Sequence, residues 1–311
     1  MKKPLVVVVV GPTASGKTSL AIEIAKKYDG DIVSADSMQI YENMDIATAK
    51  PTEEEMAEVK HHLIGFIGCD EEYSVAMYKK DATEAIKRIL SEGKLPVVCG
   101  GTGLYIDTLI KNTTFFDYEK NDVRSELEKE ADEKGIEVLL EKLRAVDPEA
   151  AVRLHINDRK RIIRALEVYL STGKTISEQD RLSHIEESEF DWCIIGLTAD
   201  DRQVLYDRIN YRVDIMLENG LLAEAEDFYE SDYSQTAKQA IGYKELKPYI
   251  DGLVSFGEAV EKLKMETRRY AKRQLTWFRR NKDISWISID NTGDRKLIDI
   301  ASEIINEYSG D

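Results

Sequence analysis

The chain has 311 residues, 42% of them hydrophobic and only six of them proline, a composition for one large or two modest folded domains. Three scattered cysteines (Cys69, Cys99, Cys193) exclude a disulfide framework and suggest no zinc site, and the adjacent His61 and His62 face different ways on helix or strand. A net charge of −16 argues against a nucleic-acid partner until its distribution is read: two basic stretches, Arg153 to Arg164 and Lys264 to Lys282, stand apart from acidic runs such as Glu53 to Glu55, and local field matters more than net charge.

Taken in order, Leu5 to Val10 reads as a strand buried on both faces. MKKPLVVVVV resembles the start of a signal peptide, but the apolar run is short, lacks a cleavage site and feeds a polar loop. It is therefore expected to be a core strand, with no membrane span and a cytoplasmic location. That loop, Gly11-Pro12-Thr13-Ala14-Ser15-Gly16-Lys17-Thr18, fits G-x-x-x-x-G-K-[ST], and an apolar helical face (Leu20, Ile22, Ile24, Ala25) follows it. Glycines let backbone N–H groups wrap phosphate oxygens, the helix start adds positive potential, Lys17 neutralises terminal phosphate charge and Thr18 offers a hydroxyl to Mg²⁺. The bland alternative, an ordinary glycine turn, does not account for the strand before it and the helix after it.

A second strand is expected over Ile32 to Ala35, with Asp36 just past its end, then a helix over residues 53–62 and another over Ser74 to Glu92. Leu95 to Cys99 reads as a third strand, opening directly into Gly100-Gly101-Thr102-Gly103. Three strands each leading into a polar or glycine-rich motif predict a parallel α/β sheet of the P-loop kind. Its carboxyl edge would gather the phosphate loop, Asp36 and Thr102.

From Phe115 to Phe190 strand signals vanish and charged helical stretches follow (Val123 to Lys134, Ile136 to Ala145, Asn157 to Leu170, with Asn157 as a cap). Residues 115–196 are therefore expected to be a helical insertion, and 1–114 with 197–311 the catalytic core. Trp192 to Leu197 has the look of a returning strand, Arg202 to Glu218 of an amphipathic helix with Arg208 and Arg212 one turn apart, Lys238 to Leu246 of a loop entering a helix, Glu258 to Arg280 of a long basic helix and Ser285 to Ile289 of an edge strand.

The ordered set GPTASGKT, DSMQIY, GGTGLYI, RINYRVDIML, KQAIGYKEL and RRYAKRQLTWFRR closely resembles the tRNA dimethylallyltransferases (tRNA isopentenyltransferases) over essentially the whole chain. The resemblance implies a P-loop core with a helical, tRNA-clamping insertion. It also implies Mg²⁺-dependent transfer of a dimethylallyl group from dimethylallyl pyrophosphate to N6 of the adenine just 3′ of the anticodon, with the loop holding pyrophosphate rather than a nucleotide. It makes Asp36 the base that takes the amino proton, and Lys17, Thr18 and Arg212 the groups that meet the leaving pyrophosphate. Thr102 would bond the reacting region or the tRNA, and Gln39 has the amide to read an adenine edge. Contacts to the anticodon stem-loop would fall on Asp36, Ser37, Met38, Gln39, Thr102, Arg124, Arg161, Arg164, Lys238, Gln239, Gly242, Tyr243, Arg273, Gln274, Trp277 and Arg279. The chain is expected to act as a monomer.

Gly65 and Cys69 depart from the aspartate and proline that relatives often carry, which puts the local loop shape in doubt. From the residues alone, a phosphotransferase using ATP in the same loop stays open, as do prenylation of free adenine nucleotides and an RNA-binding NTPase module. An all-helical prenyl synthase does not, because Asp200-Asp201-Arg202-Gln203-Val204 fails to complete D-D-x-x-D and the valine strand contradicts that fold.

Overall fold

A computed structural model describes residues 2–115, 122–183, 187–230, 233–234 and 236–310. It divides into two compact units, Met1–Ile110 with Glu189–Asp311, and Lys111–Ser188.

In the first unit six strands, β1 (Leu5–Val10), β2 (Gly30–Ser34), β3 (His61–His62), β4 (Leu95–Gly100), β5 (Asp191–Thr198) and β6 (Ser285–Ser288), form one sheet in the order β3-β2-β4-β1-β5-β6. Every pairing is parallel. The central β1 lies between β4, with Val10 opposite Gly100, and β5, with Val10 opposite Gly196. Its valines alternate between faces, as a pleated strand requires. Val6, Val8 and Val10 join one core cluster, and Val7 and Val9 the other. Helices α1 (Lys17–Lys27) and α14 (Leu297–Ser309) cover the second face through Leu20, Ile24, Ala301 and Ile305. On the first face pack α3 (Val75–Ser91), α4 (Gly103–Ile110), α10 (Arg202–Glu218), α11 (Leu221–Glu230), α12 (Tyr243–Ile250) and α13 (Phe256–Phe278).

Two expectations change here. The helix predicted over residues 53–62 stops early, as α2 (Glu53–Glu58), behind a complete Thr52–Glu55 capping box. His61 and His62 instead pair with Ile32 and Val33 as an edge strand, and Ile32 N–H bonds Lys60 O at 2.9 Å. Burial alone would raise the Asp31 carboxyl, but hydrogen bonds from Lys94 (2.9 Å) and His62 (3.2 Å) hold it below the usual carboxylate range. The second change concerns β5, which enters the central sheet from Asp191, so the core resumes before residue 197.

The second unit holds α5 (Val123–Lys134), α6 (Ile136–Val146), α7 (Pro148–Arg153), α8 (Arg159–Thr172) and α9 (Ile176–Leu182) around Leu127, Leu139, Leu143, Ile162, Ile163 and Leu166. Asp158, not Asn157, occupies the position before α8, and its side chain makes no cap. Asp147 caps α7, accepting from Ala150 N (3.0 Å), Ser177 N (3.0 Å) and Ser177 Oγ (2.8 Å), and Thr175 caps α9 with a complete Thr175–Glu178 capping box. Among the described residues no helix is long and apolar enough to cross a membrane.

Candidate active site

Parallel strands bring their carboxyl ends to one edge, and the chemistry-bearing motifs follow those ends directly. Gly11 follows β1, Asp36 lies two residues beyond β2, and Thr102 lies two beyond β4. The β2 and β4 exits touch: Ala35 N–H bonds Cys99 O at 2.8 Å, and a Cβ at Gly100 would come within 2.1 Å of Ala35 O. Only glycine fits there, which explains the strand ending LPVVCG.

A cavity of about 320 Å³ opens at this edge. Thr13, Lys17, Thr18, Asp36, Ser37, Met38, Gln39, Cys99, Arg212 and Arg273 line its polar part, while Ala47, Ile209, Val213, Met216, Leu221 and Leu263 supply apolar surface. Gly11, Pro12, Ala14, Ser15 and Gly16 complete the loop behind Lys17, with Ala14 (φ 62°) and Gly16 (φ 91°) in left-handed backbone. The Ser15 hydroxyl is fully buried without a hydrogen-bond partner among the described residues, a donor left inside a loop shaped for an anion. Lys17 Nζ donates back to Pro12 O at 2.8 Å. Burial pushes the Lys17 ammonium down to about 8, with Arg212 acting in the same direction and Cys99 and Asp36 opposing it. Burial likewise lowers Arg212, against the pull of Asp36 and Glu55, and raises the Cys99 thiol to about 11. Two cations held in a water-poor pocket favour a bound polyanion, which restores what burial removed.

The phosphate loop and the glycine loop are tied together by Gln274. Its amide accepts from Thr13 N at 2.9 Å and donates to Gly101 O at 2.9 Å. It is 5% exposed. Across the cavity mouth, Thr102 Oγ1 accepts from Ser37 N (3.0 Å) and donates to Ser37 Oγ (3.3 Å), while Asp36 Oδ1 accepts from Met38 N (2.9 Å).

Two family models match the sequence: "IPP transferase" over residues 39–281 and "Isopentenyl transferase" over residues 4–66. The tRNA dimethylallyltransferase of Acetivibrio thermocellus is 53% identical over 297 residues, covering 94% of this chain and 95% of that one. The chain belongs to the IPP transferase family. Among solved structures, the tRNA isopentenylpyrophosphate transferase of Bacillus halodurans superposes with a TM-score of 0.72 at 43% identity, covering 99% of this chain and 96% of that one. A eukaryotic dimethylallyltransferase described as acting on tRNA superposes with a TM-score of 0.84 at 30% identity, covering 99% of this chain and 80% of that one.

Seen as an IPP transferase, the chain places its expected residues unevenly. Lys17, Thr18, Asp36, Ser37, Met38, Gln39, Arg212, Gln239, Gly242, Arg273 and Gln274 all line one cavity although they span most of the sequence. Thr102 stands behind Ser37, its hydroxyl used to hold that residue. Gln39 lines the cavity, but its amide already bonds Ser34 Oγ (3.2 Å), Thr48 O (3.2 Å) and Ala49 O (3.1 Å). Two residues expected as RNA contacts are interior. Gln274 is the tie just described. Tyr243 is 1% exposed, stacks on Phe228 at 4.2 Å and donates to Glu224 at 2.8 Å. Trp277 is half-buried, with its Nε1 enclosed and unpartnered, whereas Arg273, Arg279 and Lys238 are exposed. In the second unit Arg124 and Arg164 share Glu167, at 3.4 and 3.2 Å, and Arg161 pairs with Asp158 at 3.3 Å.

Sequence reasoning missed three residues near the chemistry. Tyr270 lines the cavity, and burial, with Asp36 adding to it, pushes its phenol above the ordinary range. Arg208 reaches the loop, its Nη2 3.5 Å from where a Gly16 Cβ would lie. Cys99 sits beneath Lys17. Of these only Arg208, one turn from Arg212, had a spacing signal.

A divalent cation would find few protein ligands here. The described residues include no group of three or more His, Cys, Asp and Glu side chains able to hold a metal. The Thr18 hydroxyl remains at the cavity wall, which suits Mg²⁺, an ion that keeps its waters and takes most other ligands from substrate phosphates.

Proposed function

We propose that this chain transfers a dimethylallyl group from dimethylallyl pyrophosphate to N6 of the adenine 3′-adjacent to the anticodon of tRNA, releasing pyrophosphate. The observation that carries the reading is the meeting, at one sheet edge, of a phosphate loop with two desolvated cations and a carboxylate, in a member of the IPP transferase family. In this reading the diphosphate lies in the Gly11 to Thr18 loop against Lys17 and Arg212, with Arg208 nearby. The five-carbon group occupies the apolar wall of Val213, Met216, Leu221 and Leu263.

The adenine amino group is a weak nucleophile because its lone pair is delocalised into the ring. As N6 attacks the allylic carbon, the C–O bond to the diphosphate breaks and its electrons stay on the leaving oxygen. Asp36 takes the N6 proton. Lys17, Arg212 and the loop N–H groups meet the charge that grows on the leaving group, where fixed dipoles and cations stabilise most. Thr18 would hold Mg²⁺, which when bound would supply further positive charge at that end. The target base must leave its stack to reach the cavity, and a shielded cavity limits capture of the allyl group by water.

Exposed cations support tRNA as the acceptor: Lys238, Arg273 and Arg279 in one unit, Arg161 and Arg164 in the other. The same reading makes the protein a cytoplasmic monomer acting on tRNA. Incubation of unmodified tRNA with the protein, Mg²⁺ and dimethylallyl pyrophosphate, followed by nucleoside mass spectrometry, should show one adenosine gaining a five-carbon prenyl unit. Phosphate transfer from ATP with no change in tRNA would refute it.

A further inference from the structure

Between β2 and α2 the chain runs through an irregular stretch that supplies one cavity wall, Ala47, Thr48 and Ala49. Asn43 and Ala49 have φ of 54° and 48°, a backbone that keeps its shape only when its surroundings fix it. Two side chains do so. Gln39 holds the carbonyls of Thr48 and Ala49. Glu224, on α11, accepts from three successive backbone N–H groups: Asp45 (3.0 Å) and Ile46 (2.7 Å) on Oε2, and Ala47 (2.9 Å) on Oε1. Tyr243 OH adds a fourth bond, to Oε1, at 2.8 Å. Consecutive N–H groups turned onto one carboxylate make an anion nest, here filled by the protein's own side chain.

We infer that Glu224 is a positioning residue that sets the width of the apolar end of the donor cavity, and with it the isoprenoid length the enzyme accepts. Glu224 does not line the cavity; it acts through the segment it binds. Ala47, at the end of the nest, faces the cavity beside Gly242 and Leu221. A Cβ at Gly242 would stand 3.1 Å from Ala47 Cβ and 3.7 Å from Leu221 Cδ1, so this wall has no slack. Met216 and Leu263 continue the same apolar lining. Freed from the carboxylate, residues 45–47 lose three charge-assisted bonds at once and the wall can retreat, admitting a longer chain and gripping a short one less well. The phosphate loop, on the polar part of the cavity, is untouched by that change.

The inference rests on the donor assigned above, and binding rather than turnover separates the two. Calorimetric titration of inorganic pyrophosphate, dimethylallyl diphosphate and geranyl diphosphate would be compared across the unsubstituted protein, Glu224→Gln and Tyr243→Phe. The glutamine keeps the shape but brings neutral oxygen and an N–H₂ group to a row of donors. Pyrophosphate affinity should stay within about twofold, dimethylallyl diphosphate should weaken about tenfold, and the affinity ratio should shift toward geranyl by a similar factor. Tyr243→Phe, which removes one bond of four, should shift the ratio the same way by about two- to threefold. An unchanged ratio in a Glu224→Gln protein of normal circular dichroism and melting temperature would overturn the inference. So would parallel losses for all three ligands. Unsubstituted protein that binds dimethylallyl diphosphate no better than pyrophosphate would overturn the donor reading and this inference with it.

Discussion

The sheet-edge cavity and the helical unit over Lys111–Ser188 both carry cations in quantity, and they treat them differently. In the helical unit the arginines are matched to carboxylates: Arg124 with Glu128 and Glu167, Arg159 with Asp132, Arg161 with Asp158, Arg164 with Glu167. In the cavity, among the described residues, Lys17 bonds only the Pro12 carbonyl and Arg212 makes no ion pair. The paired cations are largely exposed, where an ion pair is weak and exchanges readily for a phosphate in a large ligand. The cavity cations are desolvated, which lowers Lys17 and Arg212 and leaves each with strong affinity for an anion that shares the pocket. One region offers many replaceable contacts suited to a backbone; the other offers a few strong ones suited to a diphosphate.

The sharpest way to break this contrast is Lys17→Ala. It should lower kcat/KM for the prenyl donor by about 10²- to 10³-fold in steady-state assays while leaving tRNA affinity in gel shifts nearly intact. Asp36→Asn comes next: kcat should fall about 10²-fold, with tRNA and donor affinities little changed, because the substitution removes a proton acceptor and not a binding charge. Equal loss of tRNA binding would remove Asp36 from the role of base.

The pH profile gives a smaller effect with a fixed sign. A Lys17 titrating near 8 in the free enzyme is charged, and able to hold the diphosphate, below that pH; the charge is lost as pH rises through it. Donor kcat/KM should therefore fall about tenfold for each unit above pH 8, and a flat profile to pH 9.5 would contradict the assignment. Lys17's contribution to stability runs the other way. Its folded value lies below that of the unfolded chain, so between about 8 and 10.5 rising pH relieves the cost of a buried charge. Smallest of all, Arg161→Glu should raise KM for tRNA about fivefold, reduce the salt dependence of tRNA binding and leave the donor KM alone. A shift in donor KM instead would take Arg161 out of RNA contact.

What could be read ahead of the structure was whatever depends on local periodicity and on strand ends. A run of five valines must be buried on both faces, so β1 and its loop were legible, and parallel strands then dictated that Asp36 and the phosphate loop share an edge. Which face a residue takes on a long helix was not legible. Arg273 and Gln274 are neighbours in RRYAKRQLTWFRR, yet one is exposed and the other buried between two loops. The family resemblance of KQAIGYKEL makes Tyr243 a contact residue, whereas in the structure Phe228 and Glu224 claim its ring and its hydroxyl. The helix expected through residue 62 ended early for a reason that lies far along the chain, since β2 needed a partner for its free edge. Glu224 gave no signal at all: an acid in LLAEAEDFYE reads as solvated until the loop it binds is seen.

The most direct test of the contrast is equilibrium binding of inorganic pyrophosphate, in Mg²⁺, to the unsubstituted protein, to Lys17→Ala and to the Arg161→Glu protein. The loss should fall on Lys17→Ala alone, with Arg161→Glu indistinguishable from the parent. Pyrophosphate affinity that survives Lys17→Ala, or that falls with Arg161→Glu instead, would contradict it.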